Sequence, residues 1–247
     1  MIKIEKLFVS YGKNTVLKDV NINIKKGRVT AIIGTNASGK TTLLNCICSL
    51  VPYKGSVYID GKDIKKMTVR QRAQNVSVLH QHLPSGGIRA EHLVEMGRSA
   101  YVSIGKALDS TDREKIAYAI EKTGIGLLRH KTLNELSGGE RQKVFLASVL
   151  CQDTPVVLFD EPTTYMDKKN EKEFLVLVTE LCRQAGKTLV TVMHDITSAV
   201  NTADDIIVIN GGSVAFCGTS DECVKSGIIE EIFSVEMLSH KGRTVYY

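Results

Sequence analysis

One nine-residue segment constrains the fold of this chain more than any other. It lies between an apolar run at 29–33, typical of a strand, and a helical pattern that starts at Leu43. The segment reads Gly34-Thr35-Asn36-Ala37-Ser38-Gly39-Lys40-Thr41-Thr42. The spacing of its first glycine from the Gly-Lys-Thr triplet is that of a phosphate-binding loop, in the setting of strand before and helix after. The segment therefore predicts a nucleoside triphosphate site.

The chemistry of such a loop follows from its backbone and from two side chains. Consecutive backbone N–H groups form a concave anion site, and the dipole of the following helix adds to its positive potential. Lys40 can reach the β- and γ-phosphates, and the Thr41 hydroxyl can ligate Mg²⁺. We therefore expect the bound nucleotide to be ATP or a similar triphosphate, together with Mg²⁺.

The segments after the phosphate loop alternate between strand and helix patterns. An apolar run at 156–160 is typical of a strand buried on both faces of a parallel sheet. A helical pattern follows, and further strands are predicted at 188–193 and in a hairpin over 206–216. This alternation predicts an α/β fold, with a three-layer P-loop NTPase core and a mostly parallel sheet.

Two other parts of the chain differ from this core. Alternating segments at 2–5, 8–12 and 20–24 predict an N-terminal antiparallel β subdomain. Residues 83–135 are dominated by helical patterns, and these predict an inserted helical subdomain. We expect one domain over 1–247, in which 1–82 and 136–247 form the nucleotide-binding core and the β subdomain.

Helix ends inside the insertion can be predicted from local signals. Thr111 and Glu114 have the spacing of a capping box, which predicts a helix from 111 to about 122. Gly124 is a plausible end for that helix, because glycine adopts the left-handed conformation that often ends helices. Near the C-terminus, Thr219 and Glu222 have the same capping spacing and predict one last helical stretch.

Composition excludes several classes of protein. The net charge is +5, but Lys and Arg are scattered, so we expect a solvated surface and no nucleic-acid site. No apolar run approaches the roughly 18 residues of a membrane span, and the charged start does not resemble a signal peptide, so we expect a cytoplasmic chain. None of the six cysteines forms a Cys-x-x-Cys pair, and no third ligand joins His80 and His82. We therefore expect no metal site built from these side chains.

A second glycine-containing motif stands at the start of another helical pattern. It reads Leu136-Ser137-Gly138-Gly139-Glu140-Arg141-Gln142. A serine and two glycines at a helix N-terminus make a further anion site. The sequence resembles the ATP-binding cassette (ABC) family, whose signature is Leu-Ser-Gly-Gly-Gln/Glu. In that family, as here, the phosphate loop comes before the signature along the chain. The resemblance covers nearly the whole chain.

The resemblance implies how the two anion sites work together. In this family, the signature of one subunit closes over the γ-phosphate held by the phosphate loop of another subunit. The chain is therefore expected to form a head-to-tail dimer, as a homodimer or with a paired ABC subunit, around two ATP molecules. The signature residues that would complete the partner's site are Ser137, Gly138 and Gly139.

The resemblance also implies roles for residues at strand ends. Asp160 and Glu161 match the family's Walker B element, in which the first carboxylate holds Mg²⁺ and the second orients and polarises the attacking water. His194 matches the switch histidine that contacts the γ-phosphate. Gln81 matches the Q-loop glutamine, which touches Mg²⁺ and the water and couples the site to the helical insertion.

Two further roles come from the resemblance, together with some departures from the family pattern. Tyr11 stands where the family has an aromatic side chain that stacks on adenine. Asp167, in the segment Thr164-Tyr165-Met166-Asp167, matches the D-loop that communicates between the two sites of the dimer. Thr35 and Ala37 replace the usual Pro and Gly of the phosphate loop, so a positive φ at Ala37 would carry some strain. None of these departures removes a charge or a ligand, and hydrolysis should be intact.

The architecture narrows the choice within the family. Ser137 lies 97 positions beyond Lys40 (137 minus 40), which leaves no room for the long coiled coil of the chromosome-condensation and DNA-repair relatives. A single cassette without a membrane span excludes a complete exporter and disfavours the tandem translation factors. The remaining likeness is to importer subunits of the iron-siderophore, haem and cobalamin class, through the segments at 94–98, 154–163, 193–196 and 231–235.

That likeness implies partners and a location. The chain would drive integral membrane permease subunits, would serve a substrate-binding protein indirectly, and would be peripheral on the inner face of the cell membrane. Two other functions stay compatible with the residues: a soluble ABC ATPase of a cofactor-assembly system, and a nucleotide-gated interaction module that hydrolyses ATP poorly. ATP turnover that responds to a membrane partner would separate the importer subunit from both.

Overall fold

Strands and helices alternate along most of the chain. The computed structural model describes residues 1–81, 83–103, 105–163, 166–240 and 243–247. The strands are β1 (Ile2–Tyr11), β2 (Asn14–Ile24), β3 (Val29–Gly34), β4 (Lys54–Ile59), β5 (Lys62–Asp63), β6 (Val76–Leu79), β7 (Val156–Asp160), β8 (Thr188–Val192), β9 (Asp205–Asn210), β10 (Ser213–Thr219), β11 (Met237–His240) and β12 (Arg243–Tyr246). The helices are α1 (Lys40–Ile47), α2 (Val69–Asn75), α3 (Ala90–Met96), α4 (Ser110–Thr123), α5 (Gly138–Gln152), α6 (Lys168–Gln184), α7 (Ile196–Thr202), α8 (Ser220–Ser226) and α9 (Ile228–Phe233).

The central sheet has six strands in the order β10-β9-β3-β8-β7-β6. All neighbouring pairs are parallel except β9 with β10, so the predicted mostly parallel sheet is confirmed. Every residue of β3 is buried, and its side chains alternate between two apolar cores. Ala31 and Ile33 belong to the core that includes α5 and α6, whereas Ile32 belongs to the core that includes α1 and the N-terminal sheet. Burial on both faces explains the continuous apolar runs of these strands.

The N-terminal sheet is antiparallel, in the order β2-β1-β4-β5. The two segments predicted at 2–5 and 8–12 belong to one strand, β1, because an irregularity at Lys6 (φ 47°) interrupts the alternation without ending the strand. Buried side chains fall on even positions before it, as at Ile4, and on odd positions after it, as at Leu7. An extra residue of this kind is a β-bulge, and it moves the inward face by one position.

Helices α3 and α4 both pack against α5. The capping box predicted for α4 is wrong by two residues: Asp109 Oδ1 accepts a hydrogen bond from the Asp112 backbone N at 2.8 Å, so α4 begins at Ser110. Aspartate is as good an N-cap as threonine. A tertiary contact favours the Asp109–Asp112 pair over Thr111 and Glu114, because Asp112 also forms a buried ion pair with Arg98 at 2.8 Å. The predicted helix end at Gly124 is confirmed, with a left-handed φ of 67°.

The C-terminal part contains more structure than the single predicted helical stretch. The Thr219–Glu222 capping box is confirmed and begins α8, but α9 and a hairpin of β11 and β12 follow. Side chains of α7 hold this hairpin, since Asn201 Nδ2 donates to the Thr244 carbonyl at 2.6 Å and the Tyr246 backbone N donates to Thr197 Oγ1 at 3.0 Å. Among the helices of the described residues, none combines the length and the hydropathy needed to cross a bilayer.

Candidate active site

The phosphate loop leaves the carboxyl end of β3 and enters α1. A Cβ atom at Gly34 would lie 2.2 Å from the Ile209 carbonyl oxygen, and one at Gly39 would lie 2.6 Å from a Leu17 methyl group, so both positions require glycine. Gly39 also has a φ of 104°, which is reserved for glycine. Ala37 has a φ of 60°, so the strain predicted for a positive φ at this position is present.

Lys40 is the first residue of α1, three positions earlier than predicted, and it is 6% exposed. Its Nζ atom donates to the backbone carbonyls of Gly34 at 2.9 Å and Thr35 at 3.0 Å. Burial lowers the pKa of Lys40, although the carboxylates of Glu161 and Asp160 oppose this effect. The lysine is therefore folded over the loop as a desolvated cation, and phosphate oxygens can replace the two carbonyls as acceptors.

A cavity of about 430 Å³ lies over the loop. Besides loop residues 36–42, it is lined by Val16 of β2 and by Gln81, Glu161 and His194, which follow three different strands of the central sheet. The carboxyl ends of parallel strands meet at one edge, where α/β proteins bind ligands. Tyr11 ends β1 with half of its surface exposed and is not among the described residues that line the cavity, whereas Val16 of the neighbouring strand is. The sequence carried no signal for Val16.

Asp160 is the last residue of β7 and lies beside the first turn of α1. The Thr41 hydroxyl donates to Asp160 Oδ1 at 3.0 Å. Burial raises the pKa of Asp160, the hydrogen bond from Thr41 lowers it, and the neighbouring charge of Glu161 raises it further; the net direction is upward. A cation beside this buried carboxylate would stabilise its charged form. The hydroxyl and the carboxylate are oxygen ligands, which suit Mg²⁺. In the described part of the chain, no cluster of three or more His, Cys, Asp or Glu side chains could hold a metal by itself.

Glu161 joins the ends of three strands. Its Oε1 atom lies 2.5 Å from Nε2 of His194, and its Oε2 atom accepts a hydrogen bond from Gln81 Nε2 at 2.6 Å. Glu161 is 9% exposed and has a φ of 51°, a left-handed conformation that is unfavourable for a residue with a Cβ atom. Gln81, Glu161 and His194 are far apart in the sequence. The structure brings them together, with Gln81 and His194 each contacting one oxygen of the Glu161 carboxylate.

The signature motif stands apart from this cavity. Ser137 is the N-cap of α5 and forms a capping box with Glu140, whose pKa is lowered by the hydrogen bonds from Ser137. Ser137 and Gly139 line a different cavity, of about 350 Å³. A Cβ atom at Gly138 or Gly139 would meet no atom of the described chain within 4 Å. The packing of this chain therefore does not require these two glycines, and the structure does not bring the signature to Lys40.

Asp167 is the N-cap of α6. Its carboxylate accepts hydrogen bonds from the backbone N of Asn170 at 2.8 Å and from its side-chain Nδ2 at 2.7 Å. Thr164 and Tyr165, which precede Met166 in the predicted D-loop, lie outside the described residues, as does His82. The exposed position of Asp167 leaves it open to contacts with another molecule.

Comparisons with known proteins identify the family of this chain. The family model described as "ABC transporter" matches residues 17–164. The iron(3+)-hydroxamate import ATP-binding protein FhuC of Bacillus subtilis is 35% identical over 94% of this chain and 87% of its own length. The ferric enterobactin transport ATP-binding protein FepC of Escherichia coli is 35% identical over 95% of this chain and 87% of its own length.

A solved structure gives the same result. A dimeric bacterial ABC transporter cassette, MJ0796, superposes with a TM-score of 0.79 and 29% identity over 89% of this chain and 99% of that chain. The chain therefore belongs to the ABC transporter family and is an ATP-binding cassette that hydrolyses ATP.

Proposed function

We propose that this chain is the ATP-hydrolysing subunit of an ABC importer, that it dimerises around two ATP molecules, and that it drives a separate membrane permease. The observation that carries the proposal is the split arrangement of the anion sites. The phosphate loop shares a cavity with Glu161 and His194, whereas the signature lies at another cavity. An iron-siderophore, haem or cobalamin-type cargo is proposed because FhuC and FepC carry iron(3+)-hydroxamate and ferric enterobactin in their names.

Support for the dimer comes from the N-terminus of α5. Gly138 and Gly139 carry no side chain that would cover the start of this helix, the space beside both is open among the described residues, and helix starts bind anions. A second copy, or a paired ABC subunit, would bring its bound γ-phosphate to this surface. Asp167 would then stand at the same interface, as the D-loop residue between the two sites.

The residues of one chain have distinct proposed roles toward ATP. Lys40 exchanges its two carbonyl acceptors for phosphate oxygens, and Tyr11 stacks on the adenine. The loop residues that bind the nucleotide are Gly34, Thr35, Asn36, Ala37, Ser38, Gly39, Lys40, Thr41 and Thr42. Thr41, Asp160 and Gln81 would hold Mg²⁺, which neutralises charge on the phosphates when bound.

The proposed catalytic residues are Glu161, His194 and Gln81. The Glu161 carboxylate accepts a hydrogen bond from the attacking water and takes up its proton as the oxygen bonds to the γ-phosphorus and the bond to ADP breaks. His194 contacts the γ-phosphate, and its contact with Glu161 fixes both side chains before ATP arrives. Gln81 holds the second oxygen of Glu161 and connects the site to the segment that begins the helical insertion.

The surface near Gln81 is proposed to dock the permease at the inner face of the membrane. Helix α2 leads into β6, which ends just before Gln81, and the Arg70 side chain ties α2 to the Ala100 carbonyl at 2.8 Å. Val69 on α2 is 74% exposed, and Met96, which ends α3 shortly before Ala100, is 57% exposed. Exposed apolar side chains of this kind suit a protein partner.

The proposal also keeps the division of the domain into a core (1–82 and 136–247) and a helical insertion (83–135).

The dimer is tested by mixing two inactive variants. Lys40→Ala removes the phosphate-loop cation, and Ser137→Arg blocks the signature. In a mixed head-to-tail dimer, one composite site has both defects and the other has none, so the mixture should recover up to about a quarter of the wild-type ATPase rate. Phosphate release is measured for each variant alone and for the mixture at equal total protein.

A mixture that stays as inactive as its components, although cross-linking shows mixed dimers, would contradict the head-to-tail arrangement. The matched control mixes Lys40→Ala with Lys40→Met. No intact site can form in that pair, so its activity should stay at background.

A further inference from the structure

Lys168, the first residue of α6, joins two helix starts near the active site. Its Nζ atom forms ion pairs with Asp195 and, at 3.2 Å, with Glu171 Oε2. Asp195 is the N-cap of α7, where its other oxygen accepts from the Ser198 backbone N at 3.0 Å. The start of α7 is therefore connected to the start of α6 through one lysine side chain.

These contacts continue into a closed ring. The second oxygen of Glu171 accepts a hydrogen bond from the Thr163 hydroxyl at 3.3 Å, and Thr163 stands two residues after Glu161. Asp195 directly follows His194, whose ring lies 2.5 Å from Glu161. The ring surrounds a cavity of about 270 Å³ that is lined by all of its members: Glu161, Thr163, Lys168, Glu171, His194 and Asp195.

We propose that Lys168 is a positioning residue for ATP hydrolysis, which holds the start of α7, and with it His194, at a fixed distance from Glu161. The proposal rests on the roles proposed above for Glu161 and His194. Lys168 supplies the permanent positive charge of the ring. The three carboxylates that line the same small cavity belong to Glu161, Glu171 and Asp195. Without it, Glu171 and Asp195 would face each other uncompensated, and like charges at short range repel strongly when solvent is partly excluded.

The protonation of the two partners supports this arrangement. The hydrogen bond to Asp195 raises the pKa of Lys168. Burial alone would raise the pKa of Asp195, but the hydrogen bond and charge of Lys168 hold it below its usual value. Both groups are therefore charged at neutral pH. Because the side chain of Lys168 is 79% exposed, its ion pairs should contribute little to the free energy of unfolding. The two carboxylates that it joins are only 10% and 29% exposed, so its loss should change their separation and with it the geometry of the site.

The test compares steady-state ATPase kinetics of the purified full-length chain with three variants. Lys168→Met should lower kcat about five-fold while the KM for ATP stays within about two-fold, because the phosphate loop is untouched. Lys168→Arg keeps the charge and should restore most of the rate. The matched control is Lys169→Met, the next residue on the exposed start of α6, which should hydrolyse ATP like the wild type.

Three outcomes would overturn the inference: a kcat for Lys168→Met equal to that of Lys169→Met, a loss of rate that Lys168→Arg does not restore, and a loss of rate that comes with a lower unfolding temperature. Each of these results leaves the ATPase function standing if the wild type hydrolyses ATP and Glu161→Gln does not. If Glu161→Gln hydrolyses ATP at the wild-type rate, the proposed catalytic roles fail first, and the role of Lys168 fails with them.

Discussion

The Glu161→Gln variant is expected to bind ATP, to accumulate as a dimer in the presence of MgATP, and to hydrolyse ATP about a hundred- to a thousand-fold more slowly than the wild type. Glutamine has nearly the same shape as glutamate, so the contacts with Gln81 and His194 can be kept in part. An amide carries no negative charge and cannot take up the proton of the attacking water. The variant should therefore stop at the ATP-bound state.

Phosphate release and size-exclusion chromatography measure the two parts of this prediction on the same protein sample. Glu180→Gln makes the same chemical change at an exposed position on α6, and it should keep the wild-type rate. Hydrolysis by Glu161→Gln at the rate of this control would remove Glu161 from the catalytic role.

The second large effect is expected for Lys40→Ala, which should weaken ATP binding about a hundred-fold. In the wild type, the lysine is already buried and directed at the loop, with hydrogen bonds to the carbonyls of Gly34 and Thr35. Little ordering is therefore needed when phosphate oxygens replace those carbonyls. Its removal deletes a charge-assisted contact to the β- and γ-phosphates and leaves the loop without its cation.

Titration calorimetry with ATP measures this loss directly. Lys66→Ala, which removes an exposed lysine outside the site, is the control for the change in net charge. Thermal unfolding without nucleotide separates lost affinity from lost folding. Unchanged ATP affinity in a folded Lys40→Ala variant would contradict the assignment of the phosphate loop.

Elements that depend on local sequence were predicted well, and those that depend on distant contacts were not. The loop at 34–42 and the strand that ends at Asp160 follow from spacing and continuous apolar runs, which are local properties. At α4, two capping pairs with the same spacing compete, and the buried Arg98 selects Asp112 from outside the helix. The bulge at Lys6 made one strand look like two in the sequence. The pattern of buried side chains shifts by one position at the bulge, although β1 continues through it.

The same distinction applies to the site. The positions of Glu161, His194 and Gln81 at strand ends could be predicted, because each follows an apolar run. Their mutual contacts could not, because strand order in the sheet differs from strand order in the chain. Lys168 was missed because its partner Asp195 stands at the start of another helix, and Val16 was missed because it reaches the cavity from the other sheet.

The importer function is tested most directly by identifying what this cassette binds in the membrane of its native host. Tagged Glu161→Gln is expressed there, membranes are solubilised in mild detergent with MgATP, and the co-purified proteins are identified by mass spectrometry. We predict that a polytopic membrane protein co-purifies in stoichiometric amount. If it no longer co-purifies with the Glu161→Gln/Val69→Glu double variant, the docking surface includes Val69. Recovery of soluble proteins only, with the ATP-bound dimer intact, would contradict the importer function and favour a soluble assembly ATPase.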